Sequence, residues 1–485
     1  MNLEDLTDRD LAHIFNSISF HTPPFRHQLL TLAWAEDKRR VAIWNGIGCG
    51  KSVTALYLHE HVWGTRRHLV VCPNSVVDSW LEQIAQHTGL KAIALRGPKE
   101  ERRRLLAEAD ADVLVVNYEG LLVLFAEPKV TRGKDGKART RYRMDPGLVK
   151  AAGMDGLTAD ECHGLANPRT EQTRIFHELS SRADRVVVMT GTPISTGEDD
   201  LWGQYWCLDG GCTLGSNQYA FRRKHFKQDF FGGWHVRPGQ RDEILRRVAP
   251  ATLRFSREEC LDLPPRSYET RRADMTEEQR RLYGEIAEGM DWTLDGVTYP
   301  AVDPGQAAQK LSQVAGGFVL VGGDAARLRE NPKMDLVEEL VREAGDEKLI
   351  LFHGYVEEGR LIEERLDRMK VGHASLRGEV KDKAGQACRF REDPACRVLV
   401  AHPRSGGIGL NLQVAAIAAF YSNGLYGAAM RDQAEGRIYR EGQRRPVLYV
   451  DFELKGSLDE KHLHRIERQA DVLAAALDFV RSWRG

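Results

Sequence analysis

The 485-residue chain carries almost no net charge, with 69 Lys and Arg against 70 Asp and Glu. No whole-molecule electrostatic argument for nucleic-acid binding is open, and any such attraction must come from local patches. The eight cysteines (49, 72, 162, 207, 212, 260, 388 and 396) contain no C-x2-C pair. Their scatter argues against a zinc site and fits the reduced thiols of a cytosolic protein. No apolar run is long enough to span a bilayer. The acidic start MNLEDLTDRD lacks an apolar signal core. These absences lead us to expect a cytoplasmic protein with no membrane partner. No low-complexity tail is present. What remains, 42% hydrophobic and 29% charged residues, is ordinary for a soluble globular chain.

Apolar runs and helical patterns alternate. VAIWN (41–45), HLVVCP (68–73), AIALRG (92–97), DVLVVNY (112–118) and RVVVMTG (185–191) read as buried parallel strands. A second block follows: KLILFHGY (348–355), VGHASL (371–376), RVLVAH (397–402), AAIAAFYS (415–422) and VLYVDFEL (447–454), with helical runs at 357–370, 381–392 and 428–441. The pattern predicts an α/β protein with two doubly wound parallel-sheet lobes. The expected divisions are a helical segment at 1–20, lobe one at 21–262, a linker and helical insertion at 263–346, lobe two at 347–457 and a carboxy-terminal helix at 458–485. The apolar stripe Ile466, Ala470, Leu473, Leu477 and Val480 is expected to pack on lobe two.

Four stretches carry candidate chemistry. NGIGCGKS (45–52) follows a strand and opens a helix. Its glycines let successive N–H groups turn towards phosphate oxygens, Lys51 would reach the β- and γ-phosphates, and Ser52 would bind Mg²⁺. A full G-x4-G-K-[ST] pattern would place glycine where this chain has Asn45. In DECH (160–163), Asp160 suits Mg²⁺ and Glu161 suits activation of the attacking water. The preceding MDGLTA is a weaker strand pattern than the others. In MTGTPIS (189–195), Thr190 and Thr192 place short hydroxyls at a strand end, where they can bond the acids. In QAEGRIYREGQ (433–443), Arg437 and Arg440 are three apart on a predicted helical face and could neutralise charge on a transferred phosphoryl group.

In order and spacing these pieces resemble the Swi/Snf-type ATPases of helicase superfamily two, over about residues 22–465. FRHQ (25–28) looks like that family's adenine-reading motif. HLVVCPNSVVDSW, VVNYEGL, DECHGLANPRTEQT, SGGIGLNLQ and QAEGRIYREGQ resemble its motifs Ia, Ib, II, V and VI. The chain departs in having DECH for the commoner DEAH, Arg377 where many members carry an acid, and no Trp-Asn-Pro in SNGLYGAAMRDQ. With its size, these traits resemble minimal bacterial or phage-borne members.

The resemblance implies two RecA-like lobes with ATP and Mg²⁺ in a cleft between them. It implies nucleotide contacts from Gln28, Gly46, Gly48, Cys49, Gly50, Lys51, Ser52 and Gly409, and coupling by Thr190, Gly191, Thr192 and Gln433. Lobe two would bring Arg437 and Arg440 to the nucleotide. Implied nucleic-acid contacts are Pro73, Asn74, Asn117, Tyr118 and Arg404, Ser405, Gly406 and Gly407. The implied activity is ATP-driven movement along duplex DNA by a nucleoid-associated monomer, which would displace or remodel proteins bound there. The alternatives are a strand-separating helicase that depends on RNA or single strands, and a nucleotide-gated DNA-binding scaffold with decayed ATPase.

One stretch lies outside the family motifs. KVTRGKDGKARTRYR (129–143) carries a hairpin signal at Asp135-Gly136. Lys137, Arg139, Arg141 and Arg143 recur every second residue, hence on one strand face. It predicts a basic hairpin that grips a phosphate backbone or a solvated insertion.

Overall fold

The computed structural model describes residues 6–132, 138–195, 197–229, 233–406, 412–422 and 427–482. They form two units, one of residues 1–261 and 471–485, the other of residues 262–470.

In the first unit the chain runs through β1 (Arg40–Ile43), β2 (His68–Cys72), β3 (Ala92–Ala94), β4 (Val113–Asn117), β5 (Ala126–Arg132), β6 (Ala138–Met144), β7 (Gly156–Asp160), β8 (Arg185–Met189), β9 (Phe226–Gln228), β10 (Trp234–Val236) and β11 (Thr252–Leu253). Seven strands make a parallel sheet in the order β11-β1-β8-β7-β2-β4-β3. The apolar runs are continuous because helices cover both faces. Alternate residues separate cleanly: Ala42, Leu69, Val71, Leu114 and Val188 enter one core, and Val41, Ile43, Val70, Val115 and Val187 the other. Register aligns the strand ends. Ile43 lies opposite Met189, Met189 opposite Asp160, Ala159 opposite Val71, and Cys72 opposite Asn117. Segments leaving this carboxyl edge carry most of the candidate residues of the first unit, as parallel α/β sheets favour, while Gln28 lies in the Arg26–Ala35 helix before β1.

β7 is a buried central strand despite its weak apolar signal. Its Thr158 is paired internally: Oγ1 lies 2.8 Å from His68 Nε2 and 3.2 Å from His59 Nε2. The two imidazoles stack with centroids 3.7 Å apart. Burial pushes His68 down to about 3. Burial, then the neighbouring His68 and Arg185 charges, hold His59 well below its ordinary value. The unfolded chain therefore binds more protons than the folded one below about pH 6.5, the usual histidine value. Stability from this pair is complete above that pH and is lost as pH falls towards the folded values. We expect each ring to contribute a slope of up to about 1.4 kcal/mol per pH unit in that window. Urea midpoints that do not change between about pH 7 and about pH 5 would contradict this.

The second unit holds a six-stranded parallel sheet. Its chain order is β12 (Arg266–Ala273), the small hairpins β13 (Trp292–Leu294) with β14 (Val297–Tyr299) and β15 (Phe318–Val321) with β16 (Asp324–Arg327), then β17 (Leu349–Phe352), β18 (Gly372–Leu376), β19 (Cys396–Ala401), β20 (Ile417–Phe420) and β21 (Val447–Leu454). The sheet order is β12-β21-β20-β17-β19-β18. The segment expected as linker thus begins with an edge strand. RSYETRRA is largely exposed and polar, so it carries no buried-strand signature. The two hairpins and the Glu277–Ala287 and Pro304–Ala315 helices share a separate small core around Trp292 and Val314.

Two sequence expectations are corrected. The helix Leu458–Ser482 is divided: up to Ala470, with Ile466, it belongs to the second unit, but Leu473, Ala476, Leu477 and Val480 enter a core of the first unit and not of lobe two. Periodicity reveals which face is buried but not against what. The helix expected over 428–441 ends at Glu435, so Arg437 and Arg440 occupy the turns that follow it.

Candidate active site

The loop after β1 is held open by its surroundings. Gly48 and Gly50 take positive φ, 85° and 65°. A side chain at Gly50 would also put Cβ 2.6 Å from Gln28 Nε2. Gln28 is locked at both ends: its Nε2 donates to the Gly50 carbonyl at 3.3 Å and its Oε1 accepts from the Phe25 N–H at 2.8 Å. The neighbouring His27 ring lies 2.9 Å from the Cys49 carbonyl. Asn45, the departure from the full glycine pattern, is fully buried and accepts the Phe255 N–H through Oδ1 at 2.9 Å. Arg257 Nε donates to the Ile47 carbonyl at 3.0 Å. Both residues staple the loop to the segment after β11. Sequence reasoning assigned neither this task, and no local pattern marks it. Lys51 Nζ, at the start of the Lys51–Tyr57 helix, donates to the Asn45 and Gly46 carbonyls at 3.0 and 3.2 Å.

Two strands away, β7 delivers the acids. Asp160 Oδ1 accepts the Glu161 N–H and Oδ2 accepts the Trp80 indole N–H, both at 2.9 Å. Glu161 has φ 51°, a left-handed conformation that turns its side chain towards the loop after β8. Glu161 Oε2 accepts from Thr190 Oγ1 at 3.0 Å and lies 3.2 Å from His163 Nδ1. The Thr190 hydroxyl also accepts the Thr192 N–H at 3.1 Å. Thr192 Oγ1 is buried with no hydrogen-bond partner among the described residues. Gly191 packs against Ile47, where an added Cβ would lie 3.1 Å from Cγ1.

The two carboxyls are driven apart. Burial, then the Glu161 charge, raises Asp160 to about 6 against the Trp80 N–H and the Lys51 charge. Burial would also raise Glu161, but His163, Lys51 and Thr190 hold it below its ordinary value. Burial opposes protonation of His163, yet its contact with Glu161 prevails and raises it. Two neighbouring acids whose proton affinities are pushed in opposite directions are suited to different roles. The first unit therefore assembles Gln28, Gly46, Gly48, Cys49, Gly50, Lys51, Ser52, Asp160, Glu161, Thr190, Gly191 and Thr192 around the ends of β1, β7 and β8.

In the second unit, Arg431 in the Ala428–Glu435 helix pairs with Asp451 and Glu435 and lies over the Phe420 ring. Gln433 is on the same helix. Beyond its end, Arg437 donates to the Pro403 carbonyl at 3.0 Å, and burial lowers it to about 10. Burial lowers Arg440 as well. Its Nε is buried with no partner among the described residues. Arg404 is exposed at the start of the Pro403–Gly406 turn, which also contains Ser405 and Gly406. Gly407 and Gly409 lie outside the described residues.

Of the other candidates, Pro73 and exposed Asn74 follow β2. Asn117 ends β4 and bonds Arg102 and Glu119. The Tyr118 hydroxyl is turned inward and donates to the Asp160 carbonyl at 2.8 Å. β5 and β6 form an antiparallel hairpin. Its register sets Glu127 opposite Arg143, Lys129 opposite Arg141 and Thr131 opposite Arg139. Glu127 is taken up by Lys99 and Arg103. Lys137 and the Asp135-Gly136 turn lie outside the described residues.

A family model described as SNF2-related domain matches residues 27–311. Protein p41 of Acyrthosiphon pisum secondary endosymbiont phage 1 is 24% identical over 480 residues, covering 92% of this chain and 96% of its own. A Mycoplasma genitalium chain described as the uncharacterized ATP-dependent helicase MG018 is 20% identical, covering 86% of this chain but only 38% of its own. The solved Sulfolobus solfataricus SWI2/SNF2 ATPase core in complex with dsDNA covers 97% of this chain and 99% of its own, at 19% identity and TM-score 0.44.

Proposed function

Because the chain belongs to the SNF2-related family, we propose that it hydrolyses ATP and uses the cycle to move along duplex DNA. The observation that carries this is the contiguity of Lys51, Asp160, Glu161 and Thr190 along one sheet edge, with Thr190 bonded to the Glu161 carboxylate. The residues fit a nucleotide and its metal: a left-handed glycine cradle, a cation in the loop and an unpartnered threonine hydroxyl. Ser52 and Asp160 would hold Mg²⁺, which supplies charge neutralisation on the phosphates.

In this reading Gln28 reads the base and Lys51 holds the triphosphate. Glu161, kept ionised, orients water and takes its proton. Thr190 fixes the Glu161 carboxylate and senses the state of the γ-phosphate through the same loop. Arg437 and Arg440 are the arginines assigned to neutralise charge on the transferring phosphoryl group. The intact, buried β7 and its acids weigh against a scaffold with decayed ATPase.

Duplex DNA is the proposed track, contacted at Pro73, Asn74, Asn117 and Arg404–Gly407, and proteins bound on it are the proposed objects of displacement. ATP turnover compared with duplex DNA, single-stranded DNA, RNA and no nucleic acid tests the proposal. The largest stimulation is expected with duplex DNA; greatest stimulation by RNA or single strands would replace it with the strand-separating alternative.

The basic residues of the 129–143 stretch are proposed to extend this track. Replacing Lys137, Arg139, Arg141 and Arg143 together by alanine is expected to flatten the salt dependence of duplex-DNA affinity. The slope of log affinity against log salt should shrink by roughly 0.9 for each phosphate that is no longer neutralised. An unchanged slope would assign the hairpin to solvent.

A further inference from the structure

Asp160 is gripped from the side of the sheet that carries the proposed DNA contacts. Its Oδ2 receives the indole N–H of Trp80, which is 1% exposed in the helix Val77–His87 after β2. Its backbone carbonyl receives the Tyr118 hydroxyl at 2.8 Å. Tyr118 is the first residue after β4 and reaches past β2 to the end of β7. The same two segments present Asn74, in the turn leading into the Trp80 helix, and Asn117, next to Tyr118. Each of these two segments thus sends one inward donor to a single residue.

We infer that Trp80 and Tyr118 are positioning residues that hold Asp160 and transmit the occupancy of the two DNA-facing segments to it. The remaining carboxylate oxygen is fixed by the Glu161 N–H, so Asp160 has little freedom of its own. A shift of either segment moves a donor and re-aims the carboxylate or its main chain. Groups that orient a metal-binding carboxylate typically change metal affinity or activity by roughly 10-fold to 100-fold when removed. Coupling of this kind requires two sites and a shared element that both bias, and Asp160 is that element.

The inference rests on the proposed DNA-stimulated ATPase, and its test separates the two. Tyr118→Phe removes one oxygen and Trp80→Phe removes one N–H donor. Duplex-DNA affinity and the ratio of DNA-stimulated to DNA-free turnover are measured for each. The ratio is expected to fall about tenfold, while DNA affinity changes by less than about twofold, a split that general loss of folding would not give. Retained stimulation in both variants would overturn the inference, as would a fall in DNA affinity that matches the fall in stimulation, which would make Tyr118 a direct contact.

Mn²⁺ binding with ADP, followed by electron paramagnetic resonance, reads Asp160 without turnover. Trp80→Phe should weaken it by about tenfold, with Trp80→His, which keeps a ring N–H, recovering part of the loss. Unchanged Mn²⁺ affinity overturns the inference whatever the DNA result. A wild-type protein that duplex DNA does not stimulate would instead overturn the proposed function, leaving the Mn²⁺ result to decide the grip on Asp160. Should Trp80→Phe fail to fold, Tyr118→Phe carries the DNA arm and Trp80→His the metal arm.

Discussion

Glu161→Gln is expected to lower ATP turnover by about a thousandfold while ATP affinity stays within a few-fold. The side chain is not a loose surface acid: Thr190 and His163 both address its Oε2. Glutamine keeps the shape and one acceptor, which can face the same donors, so the loop geometry survives. What it loses is the capacity to take a proton. The carboxyl is held below its ordinary value, so at neutral pH the wild-type group is ready to act as a base. Single-turnover hydrolysis beside fluorescent-nucleotide binding separates the effects. Turnover within tenfold of wild type would remove Glu161 from the base role, and a parallel drop in binding would recast it as part of the nucleotide cradle.

Lys51→Ala is expected to act one step earlier and remove ATP binding itself. The ammonium sits inside the loop on two carbonyls, and its charge is felt by both Asp160 and Glu161. Each charge-assisted hydrogen bond to phosphate is worth about 1.5–3 kcal/mol, so ATP affinity should drop by roughly 100-fold or more. Turnover falls with it. The two variants then differ in kind: one binds without hydrolysing, and the other barely binds. Nucleotide affinity that survives Lys51→Ala would place the triphosphate elsewhere and undo the assignment of the loop after β1.

Much of this is legible in the sequence, and the exceptions share a cause. Central parallel strands are buried on both faces, so VAIW, HLVVC, LVVN and RVVVM announce themselves. β7 is quieter because Thr158 is satisfied by two buried histidines from elsewhere in the chain, and a polar residue with a hidden partner looks like a surface residue. β12 escapes notice because its pattern belongs to an exposed edge. The glycines, Lys51 and the acids form recognisable local patterns. Trp80, Asn45 and Arg257 do not, since each acts across the fold: Trp80 reads as an ordinary core aromatic until register brings it beside Asp160. Tyr118, expected as a DNA contact, points its hydroxyl inward for the same reason.

The left-handed backbone of Glu161 has a lineage consequence. An L-residue with a side chain at φ 51° sacrifices about 1–2 kcal/mol relative to glycine, which adopts that region freely. Selection for turnover must oppose that drift continuously. In a descendant released from hydrolysis, glycine or asparagine should accumulate at this codon before the rest of the loop decays, leaving a scar by which a retired copy can be told from a working one.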